Sequence, residues 1–398
     1  MLGECKNKLN ELILQYFKTV MRFKDIVGHK HEIDKLVGMA DIGKLPHALL
    51  FHGPSGIGKT AVARAFIQYV NCENPSGGDS CGHCPACLQA ANLNNPDIHY
   101  IYPVYPKGIS SEHTEEWQQF IREFPYMSPE KWLDALKAGN SQPIIYVDES
   151  FEIVRLASLS AYGKGFKIFL VWQPEKLKIE AANKLLKIIE EPFADTLFIF
   201  VSNNPAGILP TIRSRLQAVE FKPLSEAEMI DFLGRRGLSE RDALSIARIA
   251  RGDMNRVAML LNDSSEIKEF ETMFIAVMRS AYARKMPDLK SYADTFAGYG
   301  REKSLRLLAY FARMLRESFI SNLRCEKLEA MTQDEKNFVA RFGPFINAAN
   351  IEELILHTDR AREDISRNAN QKIVWFDYMI ELTRLIRTKG IKNATSQH

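Results

Sequence analysis

The stretch Gly53-Pro54-Ser55-Gly56-Ile57-Gly58-Lys59-Thr60 fits the phosphate-binding loop pattern at every fixed position, and no other part of the chain constrains the fold as tightly. Such a loop needs a strand before it and a helix after it. The apolar run Ala48-Leu49-Leu50-Phe51 supplies the strand, and residues 60–70 have helical spacing. The glycines let the backbone curl with its amides inward, while the helix start aims further N–H groups at an anion. Lys59 is then the group that neutralises the β- and γ-phosphates, and the Thr60 hydroxyl holds Mg²⁺. ATP or ADP with Mg²⁺ is the expected ligand of residues 53–60.

Between about residues 46 and 221 short runs rich in Ile, Val and Phe alternate with longer helical patterns. His47–His52, Ile98–Tyr102, Phe166–Trp172, Thr196–Ser202 and Ala218–Phe221 are the expected strands, and this alternation predicts an α/β domain with a mostly parallel sheet. After Pro223 strand signals stop. Ser225 with Glu228 and Ser239 with Asp242 each put a capping hydroxyl three residues before a carboxylate, so two short helices follow. Gly252 closes the second, and Asp253 caps a third through Met254, Val257, Leu260 and Leu261. From about residue 265 onward the pattern is helical throughout. Buried stripes are expected at Leu305, Leu308, Phe311, Leu315 and Phe319, and at Ile373, Phe376, Met379, Leu382 and Ile386. Residues 74–79 and 103–111 are turn-rich and read as loops, and the chain has no internal repeat.

Composition excludes several classes. With 398 residues, 46% hydrophobic and 25% charged, the chain is expected to fold into two or three domains, and wholesale disorder does not fit. No apolar run approaches the roughly 20 residues that cross a bilayer. The start, MLGECKNKLNELILQYF, carries charges where a signal peptide has its apolar stretch, so a soluble cytoplasmic protein is expected. A formal charge of +3, from 52 basic and 49 acidic residues, is too even to name a polyanionic partner.

Four of the six cysteines, Cys72, Cys81, Cys84 and Cys87, fall in one short excursion, while Cys5 and Cys325 stand alone. In a reducing cytosol this clustering points to a metal rather than to disulfides. Two x2 steps sharing Cys84 make a knuckle, and four sulfurs suit a closed, structural tetrahedral Zn²⁺ that staples a loop too small for a core of its own. His83 is then a bystander.

Hydrolysis needs, besides a phosphate loop, an acidic residue after a later strand to hold Mg²⁺ and orient water. Phe166–Trp172 is the natural strand for it, yet it runs into Trp172-Gln173-Pro174-Glu175, with no acidic pair. Ile144-Ile145-Tyr146-Val147-Asp148-Glu149 matches the missing pattern in isolation, although helical spacing over 149–159 argues against a strand there. Arg213 and Arg215 follow a strand and a turn without nearby carboxylates in sequence, which reads as a solvated pair or as an arginine offered to a neighbour's γ-phosphate.

Over about residues 22–262 these motifs resemble the clamp-loader branch of the AAA+ ATPases, the DnaX and delta-prime subunits of bacterial DNA polymerase III, with replication factor C as a wider relative. Residues 22–29 resemble the family's opening box near the adenine, and the phosphate loop and four-cysteine knuckle follow in the family's order. Residues 183–192 resemble the helix behind the Walker B strand, and Ser202-Asn203-Asn204 falls at sensor 1. Ser214-Arg215 falls on the Ser-Arg-Cys motif, with Leu216 in place of cysteine, which implies that Arg215 is an arginine finger acting in trans. Trp172-Gln173 replaces the Walker B Asp-Glu, and the sensor 2 arginine falls on Asn255, with Arg256 one residue away.

The resemblance therefore implies a AAA+ nucleotide-binding domain at 22–223 with a zinc module at 72–87, a helical lid at 224–263 and an all-α collar at 265–398 whose length suits a collar without a long tail. It implies a delta-prime-type stator of the clamp-loader ring, binding nucleotide at residues 53–60 and Asn203 with little or no hydrolysis. Its expected partners are DnaX (gamma/tau) and delta subunits and, through the complex, the sliding clamp and primer-template DNA. Two alternatives stay open: a DnaX-like ATPase whose acidic pair is Asp148 and Glu149, and a stand-alone nucleic-acid-binding ATPase. Residues 103–142 are longer than these elements need and carry no assigned role.

Overall fold

The apolar runs become five parallel strands, Ala48–His52 (β1), Ile98–Ile101 (β2), Lys167–Trp172 (β3), Thr196–Ser202 (β4) and Gln217–Glu220 (β5), each within one residue of its expected ends. This computed structural model describes residues 22–388 except 139–140, 164, 262–264, 324–330 and 332. The charged start of the chain, Cys5, Cys325 and the end at His398 lie outside the described residues.

The sheet order is β2-β3-β4-β1-β5, all parallel. β3 and β4 are buried along their whole length, which explains their near-continuous apolar sequence, because helices cover both faces of a parallel sheet. Leu49 and Phe51 of β1 face the core shared with the helix Lys59–Val70, whereas Ala48 and Leu50 face the core under the helices Val147–Ser158 and Ile179–Glu190. The arrangement is a parallel α/β sheet with the glycine-rich loop leading from β1 into the helix Lys59–Val70.

Residues 103–138 form a layer that packs on β2 and on the end of β3. They carry the helices Thr114–Glu123 and Pro129–Ala135, whose Trp117, Phe120 and Trp132 are buried together. The Trp132 indole N–H donates to the Pro103 carbonyl at 2.8 Å.

The chain divides into two compact units, residues 1–262 and 263–398. The first contains, after the sheet, the helices Glu226–Gly234, Glu240–Ala250 and Met254–Leu261. Ser225 and Ser239 cap the first two as expected, Ser225 through a full capping box with Glu228. The second unit is helical: Ser265–Ala283, Met286–Ala297, Gly300–Asn322, Gln333–Phe342, Ile351–Ser366 and Gln371–Leu385 pack on one apolar core. Leu308, Phe311 and Leu315 are buried there, with Leu305 and Phe319 at its margin. The other expected stripe needs correcting, because Ile373 is 68% exposed. The buried face of that helix is Trp375, Tyr378, Met379, Leu382, Leu385 and Ile386. At about 100° per residue Ile373 falls on the side opposite that face, and the bulk of Trp375 decides which side turns inward. Among the described residues no helix is long and apolar enough to cross a membrane.

Candidate nucleotide site and cysteine centre

β1 hands the chain directly to the loop at Gly53, and the helix Lys59–Val70 starts at the loop's end. Eleven of the helix's twelve residues, Lys59 through Tyr69, are buried, so it is anchored on all sides. Gly53 has φ +148°, and a Cβ there would lie 2.2 Å from the Phe221 carbonyl at the end of β5. Gly56 has φ +74°, and a Cβ there would lie 1.8 Å from Asp253 Oδ1. Both positions require glycine because other backbone or side-chain atoms occupy the space a side chain would take.

Lys59 Nζ donates to the carbonyls of Gly53 and Pro54 and to Asn203 Oδ1 at 2.8 Å. The last contact follows from register. His52 pairs with Ser202 across β1 and β4, so the residue after β4 stands beside the residue after β1. Burial lowers the Lys59 pKa to about 8, against the opposing pull of Glu175 and Asp253. Thr60 is buried at the helix start.

Where the acidic pair is expected, β3 delivers Trp172 into the aromatic layer, 5.5 Å from the Trp117 ring and 5.8 Å from Phe120. Gln173 follows with φ +57° and donates its N–H to the Val201 carbonyl. Glu175 lies next in a short turn, and it is the residue that sequence reasoning passed over. Its carboxylate accepts from Ser202 Oγ at 2.8 Å and from the Asn203 N–H at 3.3 Å, beside the Lys59–Asn203 contact. The only sequence signal for it was its position three residues beyond the strand.

Asp148 and Glu149 are not brought to this cluster. They start the helix Val147–Ser158, with only isolated bridges at Ile144 and Ile145 before it. Asp148 pairs with Lys107 at 3.1 Å. Glu149 is buried and accepts from the Ser110 N–H and hydroxyl, and burial pushes its pKa up to about 7. From the start of the helix Met254–Leu261, Met254 N–H donates to the Gly56 carbonyl at 2.9 Å, and Asn255 Nδ2 lies 3.1 Å from where a Cβ on Gly56 would stand. Arg256 is 56% exposed and pairs with Asp253 at 3.6 Å, so Asn255 and not Arg256 faces the loop.

Arg215 follows the short helix Pro210–Arg213. Its side chain is about one-third exposed, and the guanidinium pairs with Glu190 and donates to the Thr211 carbonyl at 2.6 Å. The carboxylate absent from its sequence neighbourhood comes from the end of the helix Ile179–Glu190.

The four cysteine sulfurs lie within 4.8 Å of one another, with Cys81 and Cys87 at 3.9 Å. Tetrahedral Zn–S bonds of about 2.3 Å require S···S separations of about 3.8 Å, so the set fits that ion. Backbone amides of Cys81 and Cys84 donate to the sulfurs of Cys72 and Cys81. The His83 N–H and other amides pull the Cys81 thiol down to about 6, whereas burial pushes Cys87 up to about 12. His83 is turned to its own loop, 3.0 Å from the Cys81 carbonyl.

A family model described as "DNA polymerase III, delta subunit" matches residues 28–225. The chain is 30% identical over 213 residues to the DNA polymerase III subunit gamma/tau of Mycobacterium tuberculosis, covering 54% of this chain and 31% of that one. It is 31% identical over 169 residues to the delta' subunit of Pseudomonas aeruginosa, covering 42% and 41%. With the delta' subunit of Escherichia coli it shares 28% identity over 240 residues, covering 60% and 61%. In each case the match spans less than two thirds of the relative's own length.

Proposed function

We propose, from the premise that this chain belongs over residues 28–225 to the DnaX-related subunits of DNA polymerase III, that it is a delta-prime-type subunit of a clamp loader. In this reading it is a cytoplasmic stator of the ring that loads the sliding clamp on primed DNA, with DnaX (gamma/tau) and delta subunits as neighbours. Residues 22–223 are the nucleotide domain, 224–263 the lid and 265–398 the collar. ATP or ADP is held by Gly53 to Thr60 and Asn203 with little turnover, and Arg215 reaches the nucleotide of an adjacent DnaX subunit. Cys72, Cys81, Cys84 and Cys87 hold a structural Zn²⁺, whose chemistry is to crosslink the loop and nothing more.

One observation carries the choice of stator over motor. The end of β3 gives Trp172 to the core beneath residues 103–142, where hydrolysis needs a carboxylate on Mg²⁺. An indole buried in that layer neither ligates a metal nor orients water. A second reading is favoured by Glu175, whose carboxylate stands beside Asn203 and acts on Lys59. There the chain is a DnaX-like ATPase with Glu175 orienting water. Steady-state ATP hydrolysis by the isolated chain and by Glu175→Gln separates the two. The stator reading expects turnover at background in both, together with co-purification with DnaX-type subunits. Turnover that Glu175→Gln abolishes sinks it, and DNA-stimulated turnover without partners would instead indicate a stand-alone ATPase.

A further inference from the structure

Asp79 stands two residues before Cys81 in the cysteine module, and its side chain is 13% exposed. Besides its own Ser80 N–H at 2.7 Å, its carboxylate accepts the backbone N–H groups of Phe23 and Lys24, each at 3.2 Å. Arg22 Nε lies 3.6 Å from it, and the Arg22 side chain also lies along Gly82. These partners are more than fifty residues away in sequence and belong to the segment 22–29. That segment continues to the phosphate loop. The Phe23 ring meets Tyr69, in the last turn of the helix Lys59–Val70, at 5.8 Å. At the far end the His29 Nε2–H donates to the Ile57 carbonyl inside the loop at 2.6 Å.

A locally capped turn would satisfy the Phe23 and Lys24 amides equally well with a carboxylate from residues 20 to 22. Here the acceptor is carried by the cysteine module. Within residues 72–87 only Asp79, Ser80, Cys84 and Cys87 are buried, so apart from the Ser76–Asp79 backbone bridge the module has no core of its own to hold Asp79 in position without a metal. Charge-assisted bonds to two backbone amides are strong only while the acceptor is held in place.

We propose that Asp79 is a positioning residue that ties the segment 22–29 to the metal-bound module, so that metal occupancy sets how firmly this segment braces the phosphate loop through His29. The proposal rests on the zinc and phosphate-loop readings above, and its test keeps them apart. Using the full chain, metal content, hydrogen exchange at residues 22–29 and affinity for a fluorescent ATP analogue are measured for wild type, Asp79→Ala and Asp79→Asn, each with and without a strong chelator. Asp79→Ala is expected to keep about one Zn²⁺ per chain while exchange at 22–29 speeds up and analogue affinity falls, each by about tenfold, the effect of losing a hydrogen bond to a charged group. Chelated wild type should match it, and chelation should add little to the variant. Asp79→Asn retains one acceptor oxygen and should move the same way by less, which serves if Asp79→Ala does not fold. Unchanged exchange at 22–29 in a zinc-loaded variant overturns the tie. A wild type that purifies folded and metal-free before any chelator is added overturns it together with the zinc reading. Failure of wild type to bind the analogue overturns the phosphate-loop reading alone, since exchange at 22–29 still decides the tie.

Discussion

In the proposed nucleotide site Lys59 is the residue on which binding turns, and its environment predicts that such binding depends on pH. Burial lowers its pKa to about 8, so the unliganded amine is charged below that value and loses its proton above it. A polyphosphate binds the charged form, so above about pH 8 binding must take up a proton. Affinity for ATP is expected to be flat from pH 7 to 8 and to fall by up to about tenfold per unit beyond. A titration flat to pH 9.5 would show that Lys59 does not contact the phosphates. Glu149 gives the opposite kind of signature, in stability. Its pKa rises from the ordinary carboxylate value to about 7 by burial, so between about pH 4.5 and 7 the folded state holds a proton that the unfolded chain has released. Stability therefore falls as pH rises through that window, by an amount on the order of 3 kcal/mol. Thermal unfolding of Glu149→Gln should lack this slope; an unaltered slope would assign it to other groups. Of these residues Lys59 was legible in the sequence, because its motif is contiguous. The burial of Glu149 was not, since Ser110 reaches it from 39 positions away.

At the scale of elements, the phosphate-loop helix and the cysteine module show why local patterns succeed and where they stop. Two x2 steps keep Cys81, Cys84 and Cys87 together, and the chain folds back over the eight residues after Cys72 to bring the fourth sulfur to them. Cys87→Ser is expected to lose the metal and to lower the unfolding temperature, as read by metal analysis and calorimetry on the same sample. A variant that keeps its metal would mean that Cys87 is not a ligand. The strands, the Ser225 capping box, the Ser239 cap and the Asp253 cap were equally legible, since each depends on residues within a few positions of one another. The stripe that included Ile373 failed because a period names parallel faces of a helix without saying which one meets a neighbour. The role of residues 103–142 was likewise hidden. Their Trp117, Phe120 and Trp132 acquire meaning only against Tyr102 and Trp172, with Tyr102 stacked 3.9 Å from Trp117.

For the whole molecule, the proposed stator role is tested in a reconstituted assembly. Arg215→Ala is expected to leave folding and nucleotide binding intact and to slow ATP turnover of a reconstituted clamp loader by about 10³-fold, the scale of other arginine fingers. An unchanged assembly rate would remove that role. The Glu190 pairing holds the guanidinium at the surface without burying it, so a γ-phosphate can compete for it. Chain order alone was enough to establish the phosphate loop, the four-sulfur set, the five strands and the gap where an acidic pair belongs, because each is written in residues close together along the chain. Strand order and helix packing decided the rest. β4 lies beside β1, which brings Asn203 to Lys59 and Glu175 to Asn203, and the turn before the helix Met254–Leu261 returns Asp253 to Gly56 from almost two hundred positions away. Such contacts join segments whose separation in sequence carries no period or motif, so only the folded chain specifies them.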